Sequence, residues 1–183
     1  MNSRIVAGVV MASVVTAREL ARMHWQPGVA LAKQSTRGTT FLINAIWITS
    51  AVLVLSEDRV NTGLSVAGIA VFVLGATIRV IAHSALRHEY SRGICAIEDH
   101  RLVSSGVYGI LRHPLHFGMC LEVVGMSIVV DRPYADWVLV LSMLVVVCYR
   151  NRLEDLFLER LFGRRFRDYQ RASWDLVDLV VRK

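Results

Sequence analysis

Arg112-His113-Pro114-Leu115-His116-Phe117-Gly118 places a guanidinium, two imidazoles and a proline at the mouth of an apolar run. Glu154-Asp155 follows 36 residues after Gly118, just past the next apolar run. Polar clusters that abut membrane-length apolar segments must be satisfied by a ligand, a partner or water. Proline is tolerated in the first turn of a helix, so a helix is expected to begin at Pro114. Its unpaired N–H groups and positive dipole end can receive a carboxylate or a phosphate. Glu154 can hold a ribose hydroxyl or an ammonium. Together the clusters suit a nucleotide-like cofactor with an anionic portion, at the edge of a bilayer.

Two plainer readings compete. Arg150 and Glu154 are spaced i,i+4, which also describes an ordinary ion pair on a solvated helix face, worth a few tenths of a kcal/mol. His113 and His116, spaced i,i+3, can join Glu154 around a divalent metal. Pro114 argues for a helix start there rather than an interior, and His83, His88 and His100 lack ligand spacing. No metal is expected.

The elements that must position these residues follow from the apolar runs. Ile5 to Ala17, about 13 residues between Arg4 and Arg18, is short for a span of roughly 20 and is read as a retained helix. Thr39 to Leu55 reads as a span. Thr62 to Leu86 reads as another, with Arg79 and His83 near its end where long side chains can snorkel. Residues 87–112 form the longest polar segment. Leu115 to Val130 and Tyr134 to Tyr149, joined by Asp131-Arg132-Pro133, make an antiparallel helical hairpin. From Arg150 onward the chain reads as a charged amphipathic helix, with Leu153, Leu156, Phe157, Leu161 and Phe162 on one face. The fold class is therefore all-α: a polytopic membrane bundle of about five helices with a cytosolic C-terminal amphipathic helix. One membrane domain is expected over 1–183, with variable N-terminal helices at 1–61, a core at 62–171 and a tail at 172–183.

Composition agrees. The chain has 183 residues, 54% hydrophobic and 20% charged, with mean hydropathy +0.45, which is more apolar than a soluble domain. The net charge of +6 comes almost wholly from arginine, because Lys33 and Lys183 are the two lysines. Arginines collect in 18–38, 87–112 and 150–183, while 56–61 and 131–133 hold one each. That pattern places the three basic segments, and both polar clusters, on the cytoplasmic side and argues against nucleic acid as a partner. Cys95, Cys120 and Cys148 have no metal-ligand spacing and imply no disulfide framework.

Taken in order, His100-Arg101-Leu102-Val103-Ser104-Ser105-Gly106-Val107-Tyr108 and then Arg112 to Gly118 resemble the signature of the isoprenylcysteine carboxyl methyltransferases. The likeness continues through Glu154-Asp155, Leu158, Phe162-Gly163, Phe166 and Tyr169 and covers roughly residues 62 to 171. It implies a membrane-embedded enzyme that uses S-adenosylmethionine and takes a lipophilic small-molecule or lipidated substrate from the membrane lipid. By position, His100, Arg101, Leu102, Val103, Tyr108, His113, Pro114, Leu115 and His116 would line the cofactor, with Glu154 opposite. Arg150 would be the catalytic arginine that holds the substrate carboxylate.

The chain departs from that pattern at several positions. His116 stands where the family commonly has tyrosine, Phe166 replaces another tyrosine, and Asp155 replaces glutamate. The stretch Arg171-Ala172-Ser173-Trp174 lacks the family's closing proline segment. Two other classes fit parts of the sequence. Membrane reductases that use NADPH also carry an Arg-His-Pro block, but no distinct basic cluster for a 2′-phosphate stands out. A non-catalytic membrane scaffold would suit the missing tyrosine at 116.

Overall fold

The computed structural model describes residues 30–34, 37–56, 62–86, 94–97, 102–129, 133–176 and 178. The expected helix at Ile5–Ala17 lies outside them. Five helices carry the fold: α1 Arg37–Ser56, α2 Thr62–Leu86, α3 Pro114–Val129, α4 Pro133–Phe162 and α5 Arg164–Ala172. A short 3-10 turn, Gly106–Gly109, precedes α3. The all-α reading gains one small feature, an antiparallel ribbon of β1 (Ala30–Gln34) and β2 (Ile94–Ile97), which joins the basic segment 18–38 to the polar segment 87–112.

Prolines set two of the helix starts. Pro114 and Pro133 each occupy the first helical position, where the missing N–H costs nothing. Helix α4 ends at Gly163, whose φ of 57° lies in the left-handed region; its N–H donates to Glu159 O at 2.8 Å, and α5 starts one residue on.

Ser65–Leu86 is long and apolar enough to cross a bilayer, with mean hydropathy 2.1, and Gly38–Val54 and Pro114–Val129 are shorter apolar helices. The outward faces are apolar too: Phe41, Val66 and Val145 are about 70% exposed. In water such a surface would aggregate; against acyl chains it is the expected exterior. The chain is an integral membrane protein.

The main helix contact is α2 on α3, and small residues make it close. A Cβ built on Gly75 would fall 2.6 Å from Gly118 O, and one on Gly125 would fall 2.6 Å from Gly68 O. With no room for a side chain between them, the two backbones exchange dispersion contact directly, without a hydrophobic driving force, as helix pairs in lipid must. The core between α1, α3 and α4 is filled by Ile43, Trp47, Met119, Val123, Val140, Met143 and Val147. Cys120 is a buried free thiol in the same layer, and Cys148 a half-buried one.

One carboxylate interrupts that core. Glu122 is fully buried halfway along α3 and accepts from Arg79 Nη1 at 2.6 Å and from Trp47 Nε1 at 2.7 Å. Arg79 therefore turns inward to a counter-ion instead of snorkelling to the headgroups as its position suggested. A charge at that depth must be paired, and this pair ties α1, α2 and α3 at one level.

Candidate functional site

The site forms where the start of α3 meets the middle of α4. Helix α4 runs unbroken past Tyr149 into the charged segment, so Arg150, Asn151, Glu154 and Asp155 extend the same rod that crosses the core. The amphipathic face expected there packs only in part, with Leu153, Phe157 and Phe162 half-buried. Leu156 and Leu161 are exposed, whereas Arg150, Asn151 and Asp155 are buried. The polar stripe of α4 faces the protein because α3 and the segment after α5 offer it partners.

His113 caps α3: its carbonyl accepts from Phe117 N at 3.0 Å. Its Nε2 lies 2.9 Å from Asp155 Oδ1, and Nδ1 lies 3.8 Å from Glu154 Oε2. Burial alone would lower this imidazole's pKa, but the Asp155 hydrogen bond and the charges of Glu154, Asp155 and Asp175 outweigh it and hold it above 6.5. For Asp155, burial pushes up while His113 and Arg112 push down harder, and the carboxyl sits below 3.8.

Arg112 is a structural hub. Nη1 donates to Asp155 Oδ2 at 2.9 Å, and Nη2 donates to Gln170 O at 2.9 Å, Ser173 O at 3.2 Å and Asp178 Oδ2 at 3.3 Å. The backbone continues the join, with Arg112 N donating to Trp174 O at 2.8 Å and Trp174 N to Ile110 O at 2.9 Å. Tyr169 donates its hydroxyl to Tyr108 O at 2.8 Å, and burial pushes that phenol up to about 12. Phe166, where a tyrosine is common in the resembling family, is fully buried beside Tyr169 with ring centroids 6.0 Å apart. A phenyl ring suits that position because a hydroxyl there would need a partner.

The imidazoles of His113 and His116 are roughly parallel with centroids 6.1 Å apart. His116 contacts Asn151 Oδ1 through Nδ1 at 2.6 Å and accepts from Arg150 Nε at 3.2 Å. Arg150 also donates through Nη1 to the hydroxyls of Thr39 and Thr40, at 3.1 and 2.9 Å. Potential metal-donor atoms of His113, His116 and Glu154 lie within 4.8 Å of one another, as do those of His113, Asp155 and Asp175. In the first set His113 Nε2 and His116 Nδ1 already have protein partners, and the set opens toward Glu154, whose side chain is 32% exposed.

Of the residues singled out from sequence, His113, Pro114, Leu115, His116, Glu154 and Arg150 come together at this end of the hairpin. Tyr108 joins through its backbone carbonyl. Leu102 and Val103 are half-buried on the chain leading to the 3-10 turn, and His100 and Arg101 lie outside the described residues. Sequence reasoning passed over Asn151, Asp175 and Glu122. Glu122 had a readable signal, a lone carboxylate inside an apolar run. Asn151 and Asp175 had none: one is an amide between two arginines, the other an acid in a polar tail.

The polar cluster thus lies at one end of a helix pair in a lipid-facing helical bundle, with Glu154 its more exposed member. The sequence profile of the phospholipid methyltransferase family matches residues 64–165, more than half of the chain, and the chain belongs to that family. It is 28% identical over 108 residues to a probable protein-S-isoprenylcysteine O-methyltransferase of Oryza sativa subsp. indica, covering 58% of this chain and 56% of that one. It is 27% identical over 117 residues to the Rattus norvegicus protein-S-isoprenylcysteine O-methyltransferase, covering 63% and 41%. The fold is similar to that of a eukaryotic intramembrane Ras methyltransferase, isoprenylcysteine carboxyl methyltransferase. The TM-score is 0.61 at 22% identity, over 78% of this chain and 52% of the other. The chain thus spans about half the length of these relatives.

Proposed function

We propose that this chain is an S-adenosylmethionine-dependent methyltransferase whose acceptor is a lipophilic carboxylate, S-isoprenylcysteine being the first candidate. The observation that carries the reading is the convergence of His113, His116, Glu154 and Arg150 at one end of the α3–α4 hairpin. Family membership supports it, as do the names of the relatives.

The donor set fits the cofactor. The first turn of α3 and the His113 imidazole suit an amino-acid carboxylate, and Glu154 suits ribose hydroxyls or an ammonium. Leu102, Val103 and Tyr108 would supply the less polar side, and His100 and Arg101 belong to the same proposed set by family position. S-adenosylmethionine, when bound, supplies a methyl group on a sulfonium. Arg150 would hold the acceptor carboxylate by a charge-assisted pair. A carboxylate is already ionised at pH 7, so the protein need not remove a proton. Its task is to position and to exclude water, which the apolar walls of α1, α3 and α4 favour. We place the site on the cytoplasmic side, within a single membrane domain, from the arginine distribution.

The test is calorimetric binding of S-adenosylhomocysteine to protein in detergent, with NADPH in parallel and Glu154→Ala as control. Saturable binding that weakens at least about tenfold in the variant supports the reading. Absence of binding in folded protein removes it, and binding of NADPH instead would make the chain a reductase.

A further inference from the structure

Asp175, Asn151, His116 and Arg150 form one continuous line of polar contacts. Asn151 Nδ2 lies 2.8 Å from Asp175 Oδ1, His116 Nδ1 lies 2.6 Å from Asn151 Oδ1, and Arg150 Nε lies 3.2 Å from His116 Nε2. The two ends are chemically unambiguous: a carboxylate accepts and a guanidinium only donates. The two middle groups are ambiguous by themselves, since an amide can be turned over and a neutral imidazole can carry its proton on either nitrogen. Fixing the ends removes both freedoms. Facing Asp175, the amide must present Nδ2, because Oδ1 there would oppose another acceptor. Oδ1 then faces His116, so Nδ1 must be the protonated nitrogen. Nε2 is left with a lone pair, and that lone pair meets the Nε–H of Arg150.

Asn151 is fully buried and Asp175 is 3% exposed, so water is not at hand to repair a mismatch. We propose that Asp175, acting through Asn151, locks His116 in its Nδ1–H tautomer and thereby aims Arg150 at the acceptor carboxylate. The inference rests on the acceptor-binding role given to Arg150 above. Asp175, Asn151 and His116 are then positioning residues. Thr39 and Thr40 hold the guanidinium at Nη1 while His116 holds it at Nε, so its orientation is fixed from two helices.

The line also connects two departures from the resembling family that sequence treats as separate losses. The histidine at 116 and the altered segment beyond Tyr169 are the two ends of a unit that Asn151 bridges. Without Asp175 the Asn151 amide could turn over, leaving the Arg150 contact alone to hold His116 against the Nε2–H form that free neutral imidazole favours. A structural histidine could carry its proton on either nitrogen; one that must accept from Arg150 cannot.

The test reads the tautomer directly, from the nitrogen shifts of 15N-histidine-labelled protein in detergent micelles, with the His116 signals assigned by their loss in His116→Gln. S-adenosylhomocysteine affinity is measured on the same samples, and N-acetyl-S-farnesylcysteine serves as the acceptor. Wild type is expected to show Nδ1–H at His116. Asn151→Leu, close in size, is expected to move it toward Nε2–H. The acceptor KM should rise about tenfold while S-adenosylhomocysteine affinity changes about threefold at most. Asp175→Asn, which keeps the shape and drops the charge, is expected to give a mixture of tautomers and an intermediate KM. Nε2–H or imidazolium at His116 in wild type overturns the proposal, and so does an acceptor KM that neither variant moves. Nδ1–H with no affinity for S-adenosylhomocysteine would sustain the hydrogen-bond line and remove the methyltransferase reading instead.

Discussion

His113 and Asp155 shift each other's ionisation in opposite directions, and the consequence is a pH window. The imidazole is held above 6.5, so its stabilising charge is fully present below pH 6.5 and is lost as pH rises through the raised value. The Asp155 carboxyl is held below 3.8, so its contribution is present above pH 3.8 and is lost as pH falls through the lowered value. The pair is strongest between those limits. His113→Gln keeps a polar group in the position and removes the charge. Its loss in melting temperature relative to wild type should be largest between pH 3.8 and 6.5 and shrink steadily above. Melting curves from about pH 4 to pH 9 decide it, and a difference independent of pH over that span would show that the His113 charge does not contribute as stated.

Among the elements, the Arg79–Glu122 pair fixes the level at which three helices meet. Glu122 lies two turns into α3 and Arg79 two turns before the end of α2, at roughly 12 Å from the site end by helical rise. Removing one partner strands the other charge in a dry core, at a cost of about 3–5 kcal/mol. Glu122→Gln should therefore lower the melting temperature sharply. The double variant Glu122→Met with Arg79→Met, which removes both charges, should recover much of the loss. A double variant no more stable than the single one would show that the pair contributes through geometry that methionine cannot replace.

Much of this bundle was legible in the sequence. Helix α1 spans Arg37–Ser56 where Thr39 to Leu55 was expected, α2 has the expected bounds, and Pro114 begins α3 as its ring requires. The continuity of α4 was not legible, because hydropathy drops at Arg150 while the backbone does not break until Gly163. Periodicity marked an apolar face there but could not say which face packs. At a lipid boundary apolar residues can face outward, and partners far along the chain, such as Arg112 and Asp175, decide what is buried. The same reasoning explains why the Arg-His-Pro and Glu-Asp clusters were found and the amide linking them to the tail was not.

For the whole molecule, the helices alternate in direction, and their ends decide where the site faces. Arg150 reaches Thr39 and Thr40 in the first turn of α1, so the start of α1, the start of α3 and the site-bearing part of α4 share one end of the bundle. Arg112, Arg150 and Arg152 lie at that end, and the arginine distribution along the sequence predicts that it faces the cytoplasm. Arg171 is on α5 with an 82% exposed side chain, and Gly38 has no atom within 4 Å of where a Cβ would stand. Arg171→Cys and Gly38→Cys, each in a background with Cys95, Cys120 and Cys148 replaced by alanine, therefore report from the same end without crowding it. A membrane-impermeant maleimide should label both in inverted vesicles and neither in intact cells. Labelling of both from outside the cell would reverse the orientation while leaving the site intact. Labelling of the two from opposite sides would be incompatible with the Arg150–Thr39 contact itself. The experiment thus tests the arginine distribution and the packing of α1 on α4 separately.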